Sequence, residues 1–472
     1  MSRFTPRLLT KRTDLIDSVV YVSMSLARFV TRRVGFPRGT SLSPGLVFHR
    51  SRSVTPGTGK ADDVDGDDAR GYKFASASSR APTLADAIDA CAKTIRETLG
   101  KGREVTWAHV FVSRGAGYGE EEAASAGSRT REALSSGLVA SASAPTVVGA
   151  VTRTCVGGNG ETSDGVSIVA ASMPGTRVHA FRAESGAMPT LESGETWTRL
   201  VKSQGGGGDG DGSASTDAVG VMMLAETSFA EVDELLERLH LAMPNSVALG
   251  GVVDEGSSLF LNDDVVRRGA VAMMVEGDFD FETHVAHGAR PVGPVMSLTQ
   301  AHGSAVLELD DAPAHPLLLE TLESLPETAK TLPVMLGLGV RGAKGPFACR
   351  DILAVGDGGA VEVASMSLRE GVPVQLHVRD TQWATEQARS VIEKCVSSAK
   401  IKDISKENSI GAVMFACGGA NRMHANNFRE QLPYVPLGGA YVRSEIAPLV
   451  ARGASSVLSH TNAIGIFRKR RV

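Results

Sequence analysis

The stretch AVGVMMLAETSFAEVDELLERLHLAMPNSVALGGVV, Ala218 to Val253, decides how this chain folds. Its first eight residues are too uniformly apolar for a solvated face, which predicts a strand covered by other elements. A period near 3.6 follows: Phe229, Val232, Leu235, Leu236 and Leu239 share one face, so a helix from Phe229 to Ala242 is expected, with Thr227 or Ser228 as its cap. The closing run is again apolar. Its Gly250–Gly251 pair marks a tight backbone approach or a positive φ.

Working outward, the same order recurs twice. WAHVFVS (107–113) is followed by a helix around Arg129 to Ala140, the glycine turn PTVVGAV (145–151) and the strand GVSIVAASM (165–173). GAVMFACGG (411–419) is followed by a helix near Asn427, the turn YVPLGGAYV (434–442) and the strand NAIGIFR (462–468). The stretch quoted first continues into RGAVAMMVEG (268–277) in the same way. Further helices are expected from Leu84 to Leu99 and from about Asp380 or Thr381. The fold class is α/β, with α+β as the alternative: layered mixed β-sheets flanked by helices, in two pseudo-related halves that suggest an ancestral duplication.

At 472 residues the chain exceeds what one hydrophobic core usually supports. Residues 1–60 carry eleven Lys or Arg against Asp14 and Asp17, a charge of +9, while the whole chain is −4 and the remainder therefore −13. An acidic body is a poor match for a phosphate backbone, which argues against nucleic acid as a partner. The basic, Ser- and Thr-rich N-terminus has the character of an organelle transit peptide, for a chloroplast in preference to a mitochondrion. A basic tail with no address, leaving the protein cytoplasmic, is the alternative. No apolar run reaches the ~18–20 residues of a membrane span. The five cysteines form no CxxC pair and are read as reduced, buried thiols. Residues 53–71 read as a solvated linker, and SQGGGGDGDGSAS (203–215) as a surface loop.

Several segments, taken in order, resemble the FIST family. VVGAVTRTCVGG (147–158), ALGGVV (248–253) and above all AHGARPVGPVMSLTQAHGSAVLELDDAPA (286–314) look like its FIST N domain and the junction to FIST C. GVPVQLHVRD (371–380), FACGGANRM, VPLGGAYVRSEIAPL and SHTNAIGIF resemble FIST C. Ala289 stands where the family often has Cys, Ser444 where it often has Gly, and no F-box-like segment is evident. The resemblance divides the chain into a transit peptide and linker (1–70), a FIST N-like domain (71–285) and a FIST C-like domain (286–472). It implies a non-enzymatic sensory protein that binds a small molecule in signal transduction.

No motif argues for chemistry. GLGVRG (337–342) is a lone GxGxxG followed by Pro346 and a strand-like run, without the helix a dinucleotide needs. His284, His287, His302 and His315 do not form a zinc pattern, no GxSxG is present, and Cys417 with His460 reads better as a buried thiol and a structural histidine than as a nucleophile and base. No cofactor or metal is expected. The candidate ligand-binding residues are Arg290, Arg379, Arg443, Glu445 and His460, with Gly149 and Gly293. An arginine can hold a carboxylate bidentately and Glu445 can accept an ammonium, together reading an amino acid or similar zwitterion. A protein-interaction scaffold is the rival, and a hydrolytic enzyme with an unrecognised site the third reading.

Overall fold

The computed structural model describes residues 48–49, 71–136, 143–158, 160–186, 218–340, 345–365, 368–398, 411–417, 423–450 and 453–470. The expected transit peptide, most of the linker and the glycine-rich loop at 203–215 lie outside these. Of the first 70 residues only β1 (Phe48–His49) is described, at the edge of a sheet.

Three repeats follow. The first runs β2 (Lys73–Ser79), α1 (Leu84–Leu99), β3 (Trp107–Ser113), α2 (Ala126–Ser135), β4 (Thr146–Thr152), a hairpin of β5 (Thr154–Gly157) and β6 (Gly160–Thr162), then β7 (Val166–Ser172). The second runs β8 (Arg177–Ala183), β9 (Ala218–Glu226), α3 (Val232–Ala242), β10 (Ser246–Val253), a hairpin of β11 (Leu259–Leu261) and β12 (Asp264–Val266), then β13 (Ala270–Gly277). The third opens with β14 (Phe279–His287) and is interrupted. The inserted segment holds β15 (Ala289–His302), β16 (Ala305–Leu309), β17 (Ala312–Pro313), α4 (Ala314–Glu323), β18 (Val334–Leu338), β19 (Ala348–Val355), β20 (Val361–Val363) and β21 (Pro373–Arg379). The repeat then resumes with α5 (Thr381–Ser398), β22 (Gly411–Cys417), α6 (Met423–Gln431), β23 (Leu437–Val442), a hairpin of β24 (Ser444–Pro448) and β25 (Ser455–Leu458), and β26 (Thr461–Lys469).

Each repeat builds a mixed sheet in one strand order: β2-β7-β3-β4, β8-β13-β9-β10 and β14-β26-β22-β23. The last two strands of each set are parallel. The sheet is completed by a hairpin from another repeat. β11–β12 of the second extends the first sheet at β4, β24–β25 of the third extends the second at β10, and β5–β6 of the first extends the third at β23. The exchange is cyclic, so the three repeats form one compact unit, Pro44–Gly288 with Ala384–Val472, in its described parts. The sequence led us to expect two pseudo-related halves; the structure has three related repeats in one unit because the intervening segment is an insertion of a different kind.

That insertion, Ala289–Trp383, is a second compact unit. Its strands run β15-β21-β18-β19-β20-β16, and β15 pairs back onto β16, closing a six-stranded barrel. Met296, Leu298, Leu309, Leu336, Val374 and Leu376 fill it. A bulge in β15 between Val292 and Val295 bends that strand at Gly293 (φ +68).

Local sequence explains the helices. Thr83 caps α1 by accepting the Asp86 N–H at 3.1 Å, and Leu84, Ile88, Cys91, Ile95 and Leu99 bury one face on the first sheet. α3 begins at Val232, three residues later than its periodicity suggested. Phe229 is buried ahead of the helix, Thr227 donates to the Val253 carbonyl instead of capping, and Ser228 is held by Glu226.

The helix-free faces of the sheets meet in a common interior. Phe74, Trp107 and Phe467 pack ring to ring, and Phe111 meets Phe415 edge-on. His109 is fully buried there, its Nε2 3.1 Å from the Met222 sulfur, and burial pushes the imidazole down to about 3, so it is held neutral.

The parallel pairs meet at one recurrent contact. A Cβ on Gly149, Gly250 or Gly439 would lie 1.9, 1.6 or 1.8 Å from the carbonyl oxygen of Val110, Met223 or Met414. These are registered partners, Val110↔Gly149, Met223↔Gly250 and Met414↔Gly439, so the three glycines are equivalent. Gly250→Ala is expected to cost about 3 kcal/mol or more in urea unfolding, because a backbone carbonyl must move. Gly256→Ala, at a turn with φ +74 and nothing within 4 Å of the added carbon, is expected to cost only about 1 kcal/mol. Equal midpoint shifts would contradict this account of the glycines.

Candidate functional site

In sheets containing parallel strands, loops at the carboxyl ends of those strands bring backbone donors and side chains together. Here the three central strands β3, β9 and β22 end on the equivalent residues Ser113, Glu226 and Cys417, three beyond Val110, Met223 and Met414. The parallel partners are followed by Arg153, Asp254 and Arg443, each four residues beyond its close-contact glycine.

These positions interact across repeats. Arg153 reaches Asp254 with both arms of its guanidinium, Nε to Oδ2 at 2.7 Å and Nη2 to Oδ1 at 2.9 Å. The Arg443 N–H donates to the Val252 carbonyl at 2.8 Å. The Ser113 hydroxyl donates to the Arg153 carbonyl at 3.1 Å, and in the third repeat the Cys417 thiol occupies the same place, 3.6 Å from the Arg443 carbonyl. Glu226, though buried, is satisfied: it accepts N–H groups of Ser228 and Gly256 at 2.9 and 3.0 Å, and the Ser228 hydroxyl as well.

Glu445 differs. It lies in β24 opposite Gly251 of β10, with no exposed surface. Its Oε2 accepts the Thr461 hydroxyl at 2.5 Å, while Oε1 has no partner within hydrogen-bond geometry among the described residues. Burial pushes this carboxyl well above the usual range, against the opposing pull of the Thr461 hydroxyl and the backbone N–H groups of Glu445, Thr461 and Cys417. The group is an acid held in a dry place by donors arranged for its anion.

The other expected site residues fall as follows. Arg443 is exposed at the β23–β24 bend, and His460 precedes Thr461 with φ 55, its carbonyl accepting the Gly288 N–H at 2.7 Å. Gly149 is the close-contact glycine of the first repeat. These share the large unit with Glu445, whereas Arg290, Gly293 and Arg379 belong to the barrel unit. There Arg290 Nε donates to Asp380 Oδ2 at 3.1 Å, and the Trp383 N–H at the start of α5, with Arg290, holds the Asp380 carboxyl below its usual range. Gly293 faces the Thr321 methyl, 2.4 Å from where its Cβ would be, and Arg379 ends β21 opposite Ala289.

Arg153, Asp254 and Thr461 were not singled out by sequence, although a signal existed. Aligning the repeats on Gly149, Gly250 and Gly439 puts Arg153, Asp254 and Arg443 in one column. A cleft of about 410 Å³ also opens in the large unit, lined by Ser78, Ser79, Arg80, Glu161 and Thr162. Its charges are already engaged, Arg80 by Thr162 and Asp164 and Glu161 by the Tyr441 hydroxyl, so the strand-end cluster is the better candidate. No helix among the described residues is long and apolar enough to cross a membrane.

Comparison with protein families matches the FIST N domain over residues 123–312 and the FIST C domain over residues 314–448. No curated protein matches the chain.

Between the unfolded carboxyl value of about 4.3 and the raised native one, the native state holds a proton the unfolded state has lost, so Glu445 lowers stability as pH rises. Glu445→Gln removes that dependence. Its stability relative to wild type is expected to climb with pH above about 4.3, by up to about 1.4 kcal/mol per pH unit. Urea unfolding across pH checks this, and a difference independent of pH would show that Glu445 ionises freely.

Proposed function

Since the chain belongs to the FIST family through both of its domains, we propose that it is a sensory protein of a signalling system that recognises a small ligand by binding and not by catalysis. The observation that carries this reading is the carboxyl of Glu445, fully buried at the carboxyl ends of the parallel strands with one oxygen lacking a hydrogen-bond partner among the described residues. A buried polar atom without a partner costs free energy that evolution retains where the group has a task. The ligand class we propose is an amino acid or similar zwitterion. Arg443, exposed and two residues before Glu445, supplies the carboxylate contact, and Glu445 meets the ammonium.

Thermal unfolding of the full chain against a panel of amino acids and small organic acids tests this. At least one amino acid is expected to raise Tm, and Arg443→Ala is expected to weaken its binding by roughly 10-fold to 100-fold, the range of a lost charge-assisted hydrogen bond. A panel without any stabilising member would leave only the family membership standing, and a protein partner captured in stoichiometric amount would then favour a scaffold. We also propose that residues 1–70 direct the protein to an organelle, a chloroplast in preference to a mitochondrion, on the strength of their +9 segment. A fluorescent fusion of these residues is expected to enter plastids. Diffuse cytosolic signal would discard that assignment.

A further inference from the structure

The threefold repetition provides an internal comparison. In each hairpin one residue pairs with the position just after the close-contact glycine: Leu259 opposite Ala150, Cys155 opposite Ala440, and Glu445 opposite Gly251. All three are fully buried. Leu259 and Cys155 are what a dry position takes. A second position changes together with this one. From the registers Val110↔Ile168, Met223↔Ala272 and Met414↔Ile464, the residues three before Ile168, Ala272 and Ile464 are Gly165, Gly269 and Thr461. Only the third repeat has a side chain there, and its hydroxyl is the one that holds Glu445. Packing alone needs neither departure, since the fold is completed twice without them.

We propose that the Glu445–Thr461 pair is a cation subsite, one per chain, which takes a primary ammonium group on Glu445 Oε1 and releases the carboxyl proton to solvent as it does so. This rests on the ligand-binding reading above and adds the group recognised, the stoichiometry and the proton. Oε2 is occupied by Thr461, and Oε1 is a buried acceptor with no partner among the described residues. The carboxyl is poised between burial, which favours its neutral form, and the Thr461 hydroxyl with three backbone N–H groups, which favour the anion. An arriving cation adds to the second side, the carboxyl ionises, and the pair is then compensated. The titratable groups nearby on packed elements are Cys417 at the end of β22, Arg443 before β24, His460 before β26, His287 of β14 opposite Thr461, and Asp254 after β10, the last held by Arg153. Among the described residues, none of these groups lies within hydrogen-bond geometry of Oε1.

The test is calorimetric titration of the full chain with methylammonium chloride, in phosphate and in HEPES, whose different ionisation enthalpies reveal proton release. Tetramethylammonium chloride is the control. Wild type is expected to bind one methylammonium, more tightly as pH rises by up to about tenfold per unit while the acid is protonated, with up to one proton released. Tetramethylammonium is expected not to bind. Glu445→Leu, which installs the residue of the second repeat, and Glu445→Gln, which keeps the shape, are both expected to lose methylammonium binding. Thr461→Gly is expected to weaken it. Absence of binding to wild type, binding without proton release, or undiminished affinity in Glu445→Leu or Glu445→Gln would each overturn the subsite. Should methylammonium behave as expected while the amino-acid panel fails, the zwitterion reading falls alone. An amino acid that still binds Glu445→Leu with full affinity sinks the subsite and spares the wider reading.

Discussion

Three parallel strand pairs close only where a side chain is missing. At Gly149, Gly250 and Gly439 the neighbouring strand's carbonyl occupies the space a β-carbon would need, and the contact is the same in every repeat. Each pair fixes the spot where its chain turns into a hairpin, and each hairpin finishes the sheet of another repeat. The interior shared by Trp107, His109, Phe111, Phe415 and Phe467 exists because those sheets are held face inward. The strand-end cluster that includes Glu445 inherits its geometry from the same contacts.

Much of this was legible in the chain. Apolar runs too dense for a solvated face, the glycines at 149, 250–251 and 438–439, and the amphipathic face from Leu84 to Leu99 each report a local requirement that one residue type satisfies. The start of α3 was misjudged because a tertiary demand, burial of Phe229 and engagement of Thr227 and Ser228, overrode periodicity. The exchange of hairpins could not be read at all: β5 and β11 are ordinary short strands, and nothing local says which sheet they join. Of the candidate site, Glu445, Arg443 and His460 were named from charge and resemblance. The partner that gives Glu445 its character, Thr461, is an unremarked residue at the head of a strand, and only the register exposes it.

The family division and the compact units cut the chain differently. FIST N and FIST C meet at residues 312 and 314, within the barrel, whereas the compact units part at Gly288 and Ala289 and again at Trp383 and Ala384. Each family domain therefore contributes to both units. FIST C includes most of the third repeat, the one whose hairpin carries Glu445 in place of the leucine and cysteine of its sisters.

The hairpin exchange has a consequence for biogenesis. β5 is synthesised early, yet it pairs with β23, so Cys155 waits for Ala440, and the whole barrel must leave the ribosome in between. The first sheet likewise lacks β11 until the second repeat emerges. A nascent chain of this protein cannot complete its repeats one at a time from the N-terminus. It exposes unpaired strand edges through most of translation, the condition under which chaperones are engaged and misassembly competes with folding.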